Sequence, residues 1–488
     1  MLRRLLCCLG LISASLTFAD PARPNIVLIL VDDLGYGDLS CFGAKDIRTP
    51  HLDRLAAQGS RFTDFYVAQA VCTASRAALL TGCYPNRVGM QGALNHTSRF
   101  GLSPAEWTLP KMLKERGYAT ACFGKWHLGT VPELSAPRQG FDEFFGLPYS
   151  NDNSKYHPTL APEMPPLPLL DGEKVAELDP DQSTFTARFT AKGVDFIERH
   201  KDRPFFLYLP HVMPHVPIFA SEKFKGRSAR GLYGDVVEEL DEAIGTLLAK
   251  LRSAGLEQDT LVIFFSDNGA WTSYGEHAGS NAPLREGKLT CFEGGMRSPL
   301  IVRWPGRVPA GRVSATPFMS IDLLPTLTEI VGGKPSTLRI DGRTSLPLLR
   351  GTDETSPHEA LFYYAGEELH AVRAGRWKLH FDHPYLTNRG APGKGGKPSG
   401  FGTYEPLPIK DSSMDAIASR HGQKVLRQPQ ALFDLTADPG ETRDLSAQNP
   451  EVVARLSALA APVRRALGDK LTGASGDERR PAGFIPAK

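Results

Sequence analysis

The sequence predicts an α/β fold: a large, mainly parallel mixed sheet sandwiched by helices, with a smaller C-terminal α+β domain built on an antiparallel sheet. Two observations lead to this prediction. Up to about residue 352, short continuous apolar runs alternate with amphipathic segments, which is typical of parallel strands buried on both faces and connected by helices. Beyond residue 352, shorter runs alternate apolar with polar residues, which is typical of antiparallel strands.

The strands of the main sheet are predicted from five mostly apolar runs. Each run is bounded by turn-forming residues and is shorter than a typical buried helix. The runs span residues 25–31 (NIVLILV), 118–123, 204–209 (PFFLYL), 260–266 (TLVIFFS) and 300–304.

The intervening helices are predicted from their apolar periodicity and from the residues at their ends. Thr49-Pro50 opens the first helix, because proline is favoured in the first turn, and Gly59 closes it. Later helices are predicted from about Cys72 through Leu80, and over residues 105–116, 184–200 and 232–251.

The chain divides into three predicted parts. Residues 1–19 combine two arginines, an apolar run and a small-residue cleavage site, as in a secretory signal peptide. Residues 20–352 form the large domain, and residues 353–488 form the C-terminal α+β subdomain. In the subdomain we expect an antiparallel pair of strands within residues 359–381, an exposed loop at 383–402, a strand at 432–435 and a helix at 451–467.

Composition narrows the functional classes. Without Arg3 and Arg4, the chain carries 54 basic and 54 acidic residues, which gives no reason to expect nucleic acid as a partner. After the signal peptide no segment is apolar over the length of a bilayer, so we predict an exported protein, periplasmic or extracellular, without stable membrane insertion. The remaining cysteines are too few and too scattered for a disulfide framework: Cys41, Cys72, Cys83, Cys122 and Cys291.

Acidic and amide side chains follow two of the predicted strands. Asp32 and Asp33 come directly after the first strand, and Asp267 and Asn268 come directly after the fourth. If these strands are neighbours, the side chains converge at the sheet edge where α/β proteins bind ligands. Adjacent carboxylates repel each other unless a cation neutralises them, and oxygen ligands suit calcium or magnesium. Taken singly, each pair is more typical of an Asx turn; taken together, they favour a metal site.

A cysteine lies at the predicted start of a helix, in Cys72-Thr73-Ala74-Ser75-Arg76. The N-terminus of a helix favours anions, so this cysteine could be a thiolate nucleophile. It could equally be a small core residue. The five residues alone do not decide between these interpretations.

The same five residues resemble the signature of the sulfatases, in which the cysteine is converted to formylglycine; Ala74 stands where the common form has proline. Further family-like motifs follow in order and cover about residues 24–305. Those motifs are Thr81-Gly82, then Gly124-Lys125-Trp126-His127-Leu128-Gly129, then Gly287-Lys288 with Phe292-Glu293-Gly294-Gly295-Met296-Arg297. The run from His370 to Lys378 resembles the branch of arylsulfatase A and N-acetylgalactosamine-6-sulfatase.

The resemblance implies the alkaline-phosphatase-like fold and an arylsulfatase-like sulfuric ester hydrolase. Its cofactors would be 3-oxoalanine (formylglycine), made from Cys72 by a formylglycine-generating maturation enzyme, and Ca²⁺, with Mg²⁺ as the second choice. The metal ligands would be residue 72 with Asp32, Asp33, Asp267 and Asn268. The substrate would be a sulfated carbohydrate or a small sulfate ester such as an aryl sulfate.

The resemblance also assigns roles to basic residues. Arg76, Lys125 and Lys288 would hold the sulfate oxygens, and His127 would act as the base that releases sulfate. Apart from the family, Lys125 and His127 are two residues apart, so they would share one face if the strand at 118–123 continued through them.

Two histidines follow the predicted strand at 204–209. His215 matches the family's active-site histidine, which would protonate the leaving alcohol with help from Lys288. His211 is expected to lie behind the site, near the substrate or in a structural role. Ser150 resembles a minor substrate-binding serine of the same branch.

Two alternatives stay open at this point. A phosphoesterase or phosphonate hydrolase could use the same oxyanion site on the same fold. A secreted glycan-binding protein with a disabled site is the other alternative, but it requires missing catalytic groups, and all the expected groups are present. The sequence does not identify the sugar, the linkage, the sulfate position, exo or endo action, or the oligomeric state.

Overall fold

The computed structural model describes residues 23–486, and the predicted signal peptide, residues 1–19, lies outside the described residues. The strands are β1 (Asn25–Val31), β2 (Ser60–Tyr66), β3 (Phe100–Gly101), β4 (Ala119–Lys125), β5 (Glu143–Leu147), β6 (Pro168–Asp171), β7 (Lys174–Leu178), β8 (Phe205–Pro210), β9 (Thr260–Ser266), β10 (Arg297–Arg303), β11 (Arg312–Ser314), β12 (Phe318–Met319), β13 (Leu361–Ala365), β14 (Glu368–Ala374), β15 (Trp377–His380), β16 (His383–Asn388), β17 (Gln423–Gln428), β18 (Ala431–Asp434) and β19 (Gly483–Phe484). The α-helices are α1 (Pro50–Ala57), α2 (Cys72–Thr81), α3 (Leu109–Glu115), α4 (Phe185–Arg199), α5 (Gly231–Ser253), α6 (Glu293–Met296), α7 (Leu323–Ile330), α8 (Leu346–Arg350), α9 (Met414–Arg420) and α10 (Pro450–Leu467).

The main sheet is mixed, with a parallel centre. Its strand order is β11-β2-β10-β9-β1-β8-β4-β5-β6-β7, and β12 pairs with β2. The five strands from β9 to β5 in this order are parallel, whereas β10 runs antiparallel to β9 and β2. This architecture confirms the predicted fold class.

Strand β1 shows why the sheet is sandwiched. Alternate side chains of a strand point to opposite faces. Ile26, Leu28 and Leu30 pack into one apolar layer, with residues of α2, α3 and α7. The other three apolar residues of β1 pack into a second layer, with residues of α1, α4 and α5. Each face therefore gains roughly 1.5–3 kcal/mol per buried aliphatic side chain, which explains the continuous apolar run.

The five predicted main-sheet strands all occur, as β1, β4, β8, β9 and β10; β1 and β9 have the predicted ends, and the ends of the other three are shifted by one to three residues. Strand β2 (SRFTDFY) was not predicted, because its polar residues break the apolar run. Helix α3 begins at Leu109 rather than at residue 105, since Pro110 takes the first turn and Thr108 precedes it.

The C-terminal region forms a four-stranded antiparallel sheet in the order β13-β14-β15-β18, against which α10 packs. The predicted exposed loop at 383–402 is wrong in its first six residues, which form β16 and pair with β17. The partner strand lies far along the chain, so no local pattern indicated the pairing. The domain boundary at residue 353 stays a prediction. No helix within residues 23–486 is long and apolar enough to cross a membrane.

Candidate active site

The ends of β1 and β9 bring the predicted acidic residues together. The two strands are adjacent and parallel, with Val31 opposite Ser266, so the residues that follow leave the sheet at the same level. The backbone N–H of Asp33 donates to Asp267 Oδ1 at 3.3 Å, and Asn268 Nδ2 donates to Asp33 Oδ1 at 2.7 Å. The conditional prediction that these strands are neighbours is confirmed.

Helix α2 places Cys72 and Arg76 beside these carboxylates. Cys72 is the first residue of the helix, and its Sγ lies 3.4 Å from Asp32 Oδ1. Arg76, one turn later, donates from Nε and Nη2 to Asp267 Oδ2 at 3.0 and 2.9 Å, and from Nη1 to the carbonyl of Lys125. The guanidinium is fully buried. Its contacts with Asp267 and Asp32 hold these carboxylates in place.

Two lysines complete the cluster. Lys125, at the end of β4, lies 2.5 Å from Asp32 Oδ2 and donates to Ser150 Oγ at 3.1 Å. Lys288 Nζ lies 2.7 Å from Asp33 Oδ1 and 3.2 Å from Cys72 Sγ. We call the set of charged residues here the β1–β9 cluster: Asp32, Asp33, Arg76, Lys125, Asp267 and Lys288.

The cluster sets three carboxylates against three basic side chains, yet the pKa values of two of the carboxylates are raised. Burial raises the pKa of Asp33 to about 6, against the charge of Lys288, and burial together with Asp32 raises the pKa of Asp267 to about 7. Asp32 alone is held well below its ordinary pKa, because Lys125 and His215 outweigh its burial. A bound cation would remove this repulsion.

The donor set fits a hard metal ion. Asn268 Oδ1 is buried and accepts no hydrogen bond from any described residue, and an orphaned amide oxygen beside carboxylates is a ready cation ligand. Asp32, Asp33, Cys72 and His215 each offer a ligand atom, and these atoms lie within 4.8 Å of one another. Residues predicted as metal ligands therefore converge, with His215 as an added neighbour.

The two active-site histidines differ in which nitrogen carries the proton. His127 Nε2 lies 2.7 Å from the carbonyl of Leu94, so Nε2 is the donor and Nδ1, which is buried without a partner in the described chain, is a free acceptor. His215 Nδ1 donates to its neighbouring carbonyl of Val216, which leaves Nε2 at 3.7 Å from Asp33 Oδ2. Burial lowers the pKa of both, to about 3 for His215.

An unmodified Cys72 would be a weak nucleophile. Burial and the neighbouring charge of Asp32 raise the pKa of its thiol to about 12. With this raised pKa the thiol would be protonated at neutral pH, whereas the thiolate is the reactive form.

The structure differs in detail from the predictions for two histidines, His127 and His211. Strand β4 ends at Lys125, and His127 has a left-handed backbone with φ of 56°, so a turn and not a continued strand carries His127 to the site. His211 is fully buried, and neither ring nitrogen meets a polar group in the described residues. It remains a predicted substrate-binding residue that makes no contact with the cluster's polar atoms.

The structure adds residues that the sequence did not single out. Trp271 follows Asp267 by four positions, and its ring centroid lies 4.4 Å from Lys288 Nζ. Asp152, two positions after Ser150, is buried beside the site. His157 and His421 complete this side. Trp271 could have been identified in the sequence because it closely follows the predicted strand at 260–266. Nothing local in the sequence indicated His421, which comes from the C-terminal region.

Comparison with family models gives three matches. The family described as Sulfatase matches residues 24–333. The C-terminal region of aryl-sulfatase matches residues 356–475. The C-terminal model of N-sulphoglucosamine sulphohydrolase matches residues 287–381.

Individual proteins resemble the chain over most of its length. Arylsulfatase A of Homo sapiens is 40% identical over 474 residues, covering 92% of this chain and 89% of that protein. N-acetylgalactosamine-6-sulfatase of Canis lupus familiaris is 41% identical over 382 residues, covering 74% and 72%. Among solved structures, Ps i-CgsB in complex with k-i-k-neocarrahexaose is 28% identical, with a TM-score of 0.71, covering 90% of this chain and 92% of that one.

Proposed function

This chain belongs to the sulfatase family, and on that premise we propose that it hydrolyses sulfate esters through a formylglycine formed from Cys72, with Ca²⁺ bound beside it. It is a sulfuric ester hydrolase, as are the relatives that it matches. The observation that carries the finer proposal is the position of Cys72. A residue whose thiol is buried and protonated lies between the carboxylates of a cation site and a lysine, 3.2 Å from Lys288 Nζ.

The residues that would hold Ca²⁺ are residue 72 with Asp32, Asp33, Asp267 and Asn268. The orphaned Asn268 Oδ1 and the raised pKa values of Asp33 and Asp267 support this assignment. When present, the hydrated aldehyde supplies one hydroxyl for attack on sulfur and a second for release of sulfate, and the cation supplies positive charge to the sulfate oxygens.

Lys125 and Lys288 orient the sulfate group. Both lysines are buried, and each contacts one aspartate. Ammonium groups held in a site that excludes water stabilise charge on the oxygens more strongly than water does. Arg76 keeps Asp267 and Asp32 in position, since its donors already contact their oxygens.

Proton movements fall to the two histidines. His127 Nδ1 finds no partner among the described residues, so it would take the proton from the second hydroxyl, whose oxygen would form the C=O bond as the bond from the same carbon to sulfate breaks. We assign protonation of the leaving alcohol to His215, with Lys288 assisting. His215 is neutral in the free site; the negative charge of the bound ester raises its pKa and allows Nε2 to carry the proton.

We propose that the substrate is a sulfated carbohydrate. We also propose that the protein is exported by its signal peptide and that a maturation enzyme converts Cys72. The relative named N-acetylgalactosamine-6-sulfatase and the solved complex with k-i-k-neocarrahexaose support this substrate class.

The test combines a mass measurement of the peptide that contains Cys72 with a comparison of sulfate and phosphate esters as substrates. In protein exported by its native host, we expect the tryptic peptide that spans residues 62–76 to carry the mass of formylglycine at position 72. We also expect 4-nitrophenyl sulfate to be cleaved faster than 4-nitrophenyl phosphate under identical conditions. An unmodified cysteine together with faster cleavage of the phosphate would instead favour the phosphoesterase alternative.

A further inference from the structure

Four buried residues outside the β1–β9 cluster lie next to it. Trp271 lies against Lys288, and its ring centroid is 4.1 Å from that of His421. The His421 ring is 6.2 Å from the ring of His157. Asp152 lies close enough for its charge to act on His157, His215 and His421. We call Asp152, His157, Trp271 and His421 the polar rim.

Two donors of the polar rim have no acceptor. His157 Nδ1 accepts from the backbone N–H groups of Thr159 and Leu160, at 3.1 and 2.9 Å, so its hydrogen is on Nε2. That Nε2–H is buried, and within residues 23–486 nothing accepts from it; the same holds for the indole N–H of Trp271. An unpaired buried donor costs roughly 1–3 kcal/mol, so a ligand that accepts from both would recover this free energy.

The rim also offers one acceptor. Asp152 Oδ1 accepts from Asn153 Nδ2 at 2.9 Å, whereas Oδ2 takes part in no hydrogen bond or ion pair found among the described residues. Burial opposes ionisation, but nearby basic side chains, first His215 and then His157 and Lys125, hold the pKa of Asp152 well below its usual range. Asp152 is 8% exposed, compared with 0–3% for Asp32, Asp33 and Cys72, so it is the more accessible of these residues.

We propose that the polar rim is the subsite for the alcohol part of the substrate, and that it recognises a sulfated sugar by its free hydroxyl groups. Asp152 Oδ2 accepts a hydrogen from a ring hydroxyl, and His157 Nε2–H and Trp271 Nε1–H donate to sugar oxygens. A site built for such bonds disfavours a ligand that lacks them, because its polar groups stay unpaired. An aryl sulfate offers no hydroxyl to the rim. This inference rests on the proposed sulfatase function.

The experiment compares two substrate classes in one variant. In Asp152→Asn, which keeps the side-chain shape, we expect kcat/KM for the best substrate in a panel of sulfated galactose, glucosamine and fucose saccharides to fall about 10- to 100-fold. The fall for 4-nitrophenyl sulfate should be at least about ten times smaller. Trp271→Phe, which removes the indole N–H but keeps an aromatic ring, should shift selectivity in the same direction. Asp171→Asn, at the exposed end of β6, is the matched control.

Each other outcome overturns the inference in a distinguishable way. Equal losses for sugar and aryl substrates would mean that Asp152 acts only through His215, with no role in recognising the sugar. A parent protein that cleaves 4-nitrophenyl sulfate but no member of the panel would remove the sugar subsite and leave the sulfatase function standing. If the parent cleaved neither class, both this inference and the proposed function would fall.

Discussion

Two clusters of buried charge in this protein have the same formal composition and differ in how their charges are paired. Each combines three carboxylates with three basic side chains, and nearly all of these are less than a tenth exposed. One is the β1–β9 cluster, at the ends of these two strands. The other, which we call the β14–β15 cluster, consists of Asp64, Glu293, Arg297, Arg373, Lys378 and Glu441.

In the β14–β15 cluster the carboxylate oxygens are satisfied by the protein. Lys378 Nζ lies 3.0 Å from Glu293 and 2.9 Å from Glu441. The other oxygen of Glu293 accepts from the hydroxyl of Tyr66 at 2.6 Å. Asp64 accepts from Arg373 at 2.7 Å and from Arg297. The net effect of this pairing is that the pKa of Glu293 is lowered, since Lys378 outweighs its burial.

In the β1–β9 cluster the same number of charges is less well compensated, and polar atoms beside the cluster stay unpaired among the described residues. Burial raises the pKa of Asp33 and Asp267, and Asn268 Oδ1 and His127 Nδ1 find no partner in the part of the chain that the structure describes. A satisfied buried network fixes the packing of one structure. A buried network with unpaired polar atoms is stable only because the rest of the fold holds it in place, and its unpaired atoms can bind a ligand. The comparison therefore separates a structural cluster from a functional one.

The largest effect should come from Cys72, which lies against Asp32 and Lys288 of the β1–β9 cluster. Cys72→Ala should reduce kcat/KM for sulfate esters at least about 10⁴-fold, because the variant cannot form the nucleophile. Its melting temperature should stay near that of the parent. Cys122→Ala, which removes a buried thiol from β4, is the matched control and should retain sulfatase activity. Turnover by Cys72→Ala at the parent rate would falsify the proposed mechanism.

Lys378→Met tests the structural cluster. Removing this ammonium leaves Glu293 and Glu441 buried against each other, and breaking a buried pair costs about 3–5 kcal/mol. We expect the free energy of unfolding in urea to fall by that amount, while kcat at a temperature where the variant is folded stays close to the parent value. A loss of stability below about 1 kcal/mol would show that the β14–β15 cluster does not hold the structure together.

Lys288→Met is the matched change in the functional cluster, since Lys288 also contacts a buried carboxylate. Here kcat should fall about 10²–10³-fold, the range seen when one group that stabilises developing charge is removed. With Ca²⁺ present the loss of stability should be smaller than in Lys378→Met, because the cation also neutralises Asp33. The comparison between the clusters fails if the two lysine variants lose stability equally and activity equally.

Calcium should act on one cluster alone. After chelation, adding Ca²⁺ to about 100 times its Kd should stabilise the protein by about 2.7 kcal/mol, measured as a rise in melting temperature. Asn268→Ala should reduce this rise, because it removes the orphaned ligand oxygen. Asn86→Ala is the control: its amide is satisfied by Gln69 and Gly366, so the variant should be less stable but should keep the full response to Ca²⁺.

The sequence predicts these two clusters unequally well. Asp32 and Asp267 were recognisable because they follow apolar strands, and strand ends are where α/β sheets bind ligands. Glu293 and Lys378 lie 85 positions apart, and nothing in the local pattern of either shows that they meet. For the same reason the pairing of β16 with β17 and the contact of His421 with Trp271 were not predicted. Local periodicity identifies elements, whereas contacts between distant segments depend on how those elements pack.

The smallest effect concerns a buried group in neither cluster. Burial alone lowers the pKa of His211 to about 4, so between pH 4 and the unfolded value near 6.5 the unfolded chain binds more protons than the folded one. Stability should therefore fall as pH decreases through this window. His211 should contribute about 2 kcal/mol to the loss between pH 7 and pH 5. His211→Phe should remove that contribution, giving a shallower decrease in melting temperature below pH 6.5 and only a small difference at pH 7. An unchanged acid dependence would mean that His211 has a proton-accepting partner, as expected for a residue that binds substrate and not for one that is only packed in the core.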